Sequence, residues 1–282
     1  MVSLTCCIKT FGQFDAPLAK LNYTLAPIGA DTIDVYTTHM EANIPSLLGK
    51  ATLTNSFNAD YHQMNCQIEE NDFSTYPLTN FYNLKYQLSY SYPFSDHFKL
   101  ESKGNITLAS NLTDNVTMDD FVFGAGLYVT TKLKTDAKPT HLKFGLEYNT
   151  LLGQPKLLPI FSFYREISDD LSYDLGFPSS NIIYKLNFKS QIKASADVNG
   201  LYTNLSNPIY IDQIQAAQKA SISTKSFAFD YSYKMDANWN IHFSTGFIFQ
   251  NSYELLNSNN QTIYDFDTSS KVFFTTGLIF NL

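Results

Sequence analysis

The chain has 282 residues and a net charge of −7, with 15% aromatic residues against only 16% charged ones. That charged share lies well below the roughly 25% usual in soluble domains, and lysines that never gather into a stripe argue against a nucleic-acid-binding surface. No apolar run reaches the ~18 residues a spanning helix requires, so strands are the only means by which this chain could cross a membrane.

Residues 1–13, MVSLTCCIKTFGQ, read as the remnant of a secretory signal lacking its basic start. Cys6 and Cys7 invite a lipoprotein reading, but the residue before a lipidated Cys should be small, and here it is Thr5 or another Cys. They are expected to be small apolar residues of the export segment. Cys66 is then the one remaining cysteine and is expected to be an unpaired loop residue.

Residues 14–282 read as a single domain. Period-two alternation recurs near 18–26, 33–44, 50–60, 80–92, 97–110, 120–132, 140–149, 157–167, 170–177, 181–187, 191–204, 220–234, 238–251 and 270–282. Short connections rich in turn residues (45–49, 93–96, 135–139, 168–170, 189–190 and 235–238) alternate with others, several of them long and polar (61–79, 111–119, 205–219 and 252–269). Residues 211–220, IDQIQAAQKA, could form a short helix in one of the long connections.

The faces separate best at 82–92, where Tyr82, Leu84, Tyr86, Leu88, Tyr90 and Tyr92 alternate with Asn83, Lys85, Gln87, Ser89 and Ser91. Aromatic residues such as Tyr90, Tyr92, Phe98, Trp239 and Phe280 gather near segment ends, where amphipathic rings would meet lipid headgroups. The last segment, KVFFTTGLIFNL, alternates to the terminus. It is expected to pair with the first strand near 18–26, because a sheet in lipid cannot leave an edge open. These observations predict an all-β fold: a transmembrane antiparallel up-and-down β-barrel of about 12 to 14 strands. Long outer loops, short periplasmic turns and both termini inside place it in the outer membrane of a diderm (Gram-negative) bacterium. A soluble β-sandwich of this length would show two domains and a linker, and none is visible. A mitochondrial porin would bring an odd strand count and an N-terminal amphipathic helix, of which residues 1–17 show no sign.

Residues 157–180, LLPIFSFYREISDDLSYDLGFPSS, together with the terminal segment, resemble uncharacterised single-chain outer-membrane β-barrel proteins of diderm bacteria, a domain of unknown function. The resemblance implies fold and location and brings no chemistry to any residue.

Alternation turns Lys20, His39, Glu41, Lys85, Lys99, Glu101, Lys103, Lys143, Glu147, Asp174, Lys185, Lys193, Asp197, Asp230 and His242 toward the lumen. With Glu166, seven lysines there stand against seven acids, so the lumen is expected to be near neutral. Two readings stay open: a polar channel without strong ion preference, or an ion-pair network that braces and partly closes the barrel. Phe274, Leu278, Phe280 and Leu282 are the candidate C-terminal assembly signal. Asn240-Ile-His242-Phe-Ser244 is similar to the His-x-Ser pair of outer-membrane phospholipases. Thr245 stands where that family has Asn, however, and both polar residues face the lumen, so catalysis is not expected.

His39, His62, His97, His141 and His242 lack metal-ligand spacing. Gly124 and Gly126 lack both the third glycine and the helix of a dinucleotide site, and read as a bend or a place of close packing. No metal or cofactor is expected. The expected partners are outer-membrane lipid, the barrel-assembly machinery and an unspecified small solute, with the chain acting as a monomer. Three functions remain in order: a passive or weakly selective channel for small solutes, a structural or surface-interaction barrel, and a lipid-modifying enzyme.

Overall fold

The computed structural model describes residues 17–27, 33–66, 73–133, 138–211 and 215–281. The signal remnant with Cys6 and Cys7 lies outside them, as does Leu282. The strands are β1 (Ala19–Pro27), β2 (Ile33–Leu48), β3 (Ala51–Cys66), β4 (Asn80–Pro93), β5 (Phe98–Ser110), β6 (Phe121–Lys132), β7 (Thr140–Asn149) and β8 (Lys156–Glu166). They continue as β9 (Leu171–Phe177), β10 (Ser179–Lys185), β11 (Ser190–Ile211), β12 (Gln215–Lys234), β13 (Trp239–Leu256), β14 (Thr262–Phe266) and β15 (Lys271–Phe280). Each strand from β1 to β13 pairs antiparallel with the next, and β15 closes the ring by pairing with both β13 and β1. The result is a closed barrel of fourteen strands. The fifteenth, β14, hangs from β13 as a hairpin at one end.

Closure follows from register. β15 meets β1 from Phe280 opposite Ala19 to Phe274 opposite Leu25, and meets β13 from Phe280 opposite Trp239 to Lys271 opposite Ile248. Antiparallel partners share a face, so Trp239, Ile241, Phe243, Thr245 and Phe247 stand with Phe280, Leu278, Thr276, Phe274 and Val272 on the outside. Around the wall the outward positions are exposed and apolar: Leu84 at 48%, Phe123 at 55%, Phe161 at 52% and Phe229 at 70% are examples. An apolar belt of this extent suits hydrocarbon and not water. At the short-turn end Trp239 packs on Phe280 with ring centroids 4.9 Å apart, Phe94 on Phe98 at 5.7 Å and Tyr90 on Tyr92 at 6.5 Å, which sets aromatic rings at one rim of the belt.

The long-connection end departs from expectation in four places. Residues 205–219 are mostly strand: β11 and β12 run on as a paired hairpin to Ile211 and from Gln215, so the helix expected over 211–220 is absent, residues 212–214 lying outside the described ones. The ladder resumes past an irregularity between Asn204 and Ile209, and its apolar residues gain burial that a lone helical turn would not provide. Residues 252–256 extend β13, and 262–266 form β14. Cys66 is the last residue of β3, opposite Ile33, and not a loop residue. At the other end β2 continues through Pro45 to Leu48, and the turn narrows to Gly49 and Lys50, where Gly49 takes a φ of +62° that favours glycine.

Candidate functional site: an inward belt and its roof

The face opposite the apolar belt carries the charges. All fifteen lumen candidates occupy inward positions of the register, including Lys185 near the short-turn end, whose Nζ meets the Asp169 carbonyl at 3.2 Å. Most are held in pairs. On β5 to β7, Lys103 meets Glu147 at 2.8 Å, and Glu101 is shared by Lys143 at 3.0 Å and Lys99 at 3.4 Å. On β2 and β3, His39 meets Asp60 at 2.5 Å and Glu41 at 3.6 Å. Lys193 meets Asp230 at 3.3 Å between β11 and β12. Asp197 accepts from Ser179 at 2.6 Å and Ser195 at 2.8 Å, and Asp174 accepts from Ser162. Among the described residues Lys85 forms no ion pair. The partners are partly buried, and where water reaches both of them such a pair is worth about 0–1 kcal/mol, so its main effect is to cancel charge.

The β5–β7 group is built on glycine. A Cβ on Gly126 would lie 2.4 Å from the Tyr128 hydroxyl, and one on Gly145 would lie 2.2 Å from the Leu127 carbonyl. These two positions must stay bare for Tyr128 to lie flat along the wall. Its hydroxyl donates to Glu147, while Lys143 and Lys103 sit 4.5 and 5.3 Å from its ring centroid. Gly124 and Gly126 thus serve close packing, one of the two roles expected of them. Tyr128 itself was not a lumen candidate, since the tyrosines of the clearest alternating segment, residues 82–92, face outward; the glycines on the adjoining inward positions were the available signal.

His242 and Ser244 both face inward, as expected. With the Asn22 amide donating to His242 Nε2 at 2.7 Å, the amide oxygen lies 3.2 Å from Lys20 Nζ. Among the described residues no hydrogen bond joins His242 to Ser244. The imidazole is engaged by an amide of β1, and Ser244 stands opposite Asp230.

Above the belt, at the long-connection end, the inward positions turn apolar. Val35, Met64 and Phe81 at the ends of β2, β3 and β4, with Leu78 between the latter two, pack against Leu201, Leu205, Ile209 and Ile211 of β11 and Ala217, Ala220 and Ile222 of β12. Tyr253 and Leu255 of β13 and Phe266 of β14 complete a buried cluster. The Tyr253 and Phe266 rings stack at 4.3 Å, and Phe73 meets Tyr264 edge-on at 5.1 Å. A full burial of each large side chain contributes roughly 1.5–3 kcal/mol, so this roof is a packed core in its own right.

The roof reaches the far wall through polar contacts. Asn204 of β11 forms a single parallel bridge with Ser110 of β5, although β6 to β10 stand between those strands around the wall. Asn204 Nδ2 donates to Asp120 at 2.8 Å, and Lys219 Nζ donates to Asn204 Oδ1 and to the Asp119 carbonyl, both at 2.8 Å. Asp120 is 1% exposed. Burial alone would push its carboxyl up, but hydrogen bonds from Ser110, the Thr117 amide, Asn204 and the Thr117 hydroxyl together hold it below the ordinary carboxylate value.

No protein-family model matches the chain, and no curated protein does, so the resemblance seen in residues 157–180 stays at the level of the barrel. Among solved structures it is similar to the NanC porin, at 9% identity and a TM-score of 0.44, over 93% of this chain and 100% of that one. It is also similar to the toluene transporter TodX of P. putida, at 8% identity and 0.45 over 96% and 91% of the two chains. The KdgM porin in complex with disordered oligogalacturonate matches at 10% identity and 0.39, over 93% and 99%. These identities carry no residue role across.

Proposed function

We propose that this chain is an outer-membrane barrel of a diderm bacterium acting as a passive or weakly selective channel for small solutes. The observation that carries the reading is the closed wall with an apolar exterior and an inward belt of lysines and carboxylates, which calls for water at the level where the outside calls for lipid. The belt's charges largely cancel in pairs, which favours weak ion preference over the single-sign rings of selective pores. Planar-bilayer recording tests it: the expected result is discrete conductance with a reversal potential near zero in a salt gradient. A roofed mouth favours the second reading, a surface-interaction barrel, and complete absence of conductance would select it. For lipid-modifying chemistry, the engagement of His242 Nε2 by Asn22 weighs against its serving Ser244 as a base.

Assembly belongs to the same reading. Phe274, Leu278 and Phe280 stand outward on the strand that joins β13 to β1 and would be read by the assembly machinery, with outer-membrane lipid as the surrounding partner. Phe280→Asp should leave the chain in the periplasm, whereas Asn281→Asp should assemble normally, as judged by heat-modifiable migration of the outer-membrane fraction.

A further inference from the structure

We propose that the β11–β12 hairpin is a lid over the inward belt, held shut by a polar latch against the β5–β6 connection and pivoting on its apolar side. The inference deepens the channel reading and rests on it. β11 and β12 are the longest strands of the barrel, at 22 and 20 residues, and their pairing is interrupted between Asn204 and Ile209, where the hairpin passes over the mouth. It then touches a strand that is not its neighbour.

The two sides of the hairpin differ in chemistry. Toward β2, β3, β4 and β13 it buries apolar side chains that would be costly to expose, so that side stays packed. Toward β5 and β6 it is held by hydrogen bonds among Ser, Asn, Lys and Asp side chains and backbone groups. The Asn111 amide donates to the Asn204 carbonyl at 3.2 Å, the Ser206 amide to Asn111 Oδ1 at 2.9 Å, and the Ser110 and Ser206 hydroxyls meet at 3.2 Å. Asn204, Asp120 and Lys219 complete the latch. Each neutral bond of this set contributes about 0.5–1.5 kcal/mol net and those to the Asp120 carboxylate about 1.5–3, and all can be replaced by water once the contact opens. A wall strand would instead be fixed by a ladder; this contact has one bridge. Release of the latch would uncover the far side of the belt while leaving the apolar pivot intact.

A switchable staple tests the lid. In full-length protein with Cys6, Cys7 and Cys66 replaced by serine, Ser110→Cys and Ser206→Cys place two thiols where hydroxyls now stand 3.2 Å apart, close enough for a disulfide. Recorded in planar bilayers, the oxidised protein should lose at least tenfold of its mean conductance and recover it on reduction with dithiothreitol. The companion variant Asp120→Ala/Asn204→Ala should raise open probability about tenfold. Heat-modifiable migration and a mass measurement establish that each variant is folded and that the disulfide has formed. A formed staple with unchanged conductance overturns the lid and leaves the channel reading standing. Silence of every variant, the unlatched one included, overturns the channel reading and the lid with it.

Discussion

Along β2, β3, β4, β11, β12 and β13 the inward positions change chemistry part-way up the wall. On β3 they run Ser56, Asn58, Asp60 and His62 and then end at Met64; on β4 they run Ser89, Gln87, Lys85 and Asn83 and end at Phe81; on β12 they run Asp230, Ala228, Ser226 and Thr224 and end at Ile222 and Ala220. Period two is unbroken through the change on β3 and β4, while β13 shifts register by one residue between Ile248 and Gln250. The lower region is a wet belt in which charges sit in pairs, and the upper one is a dry roof in which Leu78, Phe81 and Tyr253 are fully buried. Alternation therefore reports which side of the wall a residue takes, while the medium it meets there is decided by what crosses the mouth.

The largest effects should come from breaking the roof. Phe81→Ala or Tyr253→Ala deletes a fully buried ring and should cost the roof about 3–5 kcal/mol, because a cavity is added to the lost burial. The wall ladder is untouched, so the barrel should remain heat-modifiable while limited proteolysis reaches β11 and β12. Loss of the whole barrel would mean that roof and wall fold as one unit.

Next is the contrast between outside and inside. Leu84 faces outward at 48% exposure and Lys85 faces inward beside it. Leu84→Arg should destabilise the barrel in lipid by about 2–4 kcal/mol near the midplane, and Lys85→Arg should be almost silent. Equal losses in gel-shift unfolding would sink the assignment of faces.

How far the sequence could be read follows from the same distinction. All fourteen wall strands were legible as alternation, since each buries or exposes one face along its whole length. Many of the inward charges were legible too, but Asp60, which pairs with His39 and lies next to a segment read as a loop, was not singled out, nor were Lys132, Lys234 and Lys271, which also take inward positions of the register. The roof was not. Its residues are scattered over 35, 64, 73–81, 201–222 and 253–266, in stretches whose Asn, Gln and Ser content reads as polar connection. They come together through the packing of β11 to β14 on the ends of β2, β3 and β4, a long-range contact that no local pattern announces.

A smaller effect should appear with pH at the latch. Asp120 is held below its ordinary value of 3.8, so its contribution is complete above that value and is lost as pH falls through the lower folded value. Hydrogen bonds to a charged group contribute roughly 1.5–3 kcal/mol. Protection of the β11 and β12 amides against exchange, taken relative to their intrinsic rates at each pH, should therefore fall in strongly acidic solution before that of the wall does. Asp120→Asn should flatten that dependence, and an unchanged acid response in this variant would assign it to another carboxylate.

The smallest expected effect bears most directly on what fills the belt. Lys103 and Glu147 meet at 2.8 Å, with Tyr128 also donating to the carboxylate. If water fills the lumen, Lys103→Met leaves a Glu147 carboxylate that can be solvated on its open side, and the barrel should lose less than about 1 kcal/mol. If the belt were as dry as the roof, the same change would strand a buried charge and cost about 3–5 kcal/mol. Double-mutant unfolding with Lys103→Met, Glu147→Gln and the pair separates the two cases. A small loss for Lys103→Met, with weak coupling between the sites, is the expected result. A large loss that the second substitution relieves would mean that the inward face is closed along its length, and the channel reading would then yield to a solid structural barrel.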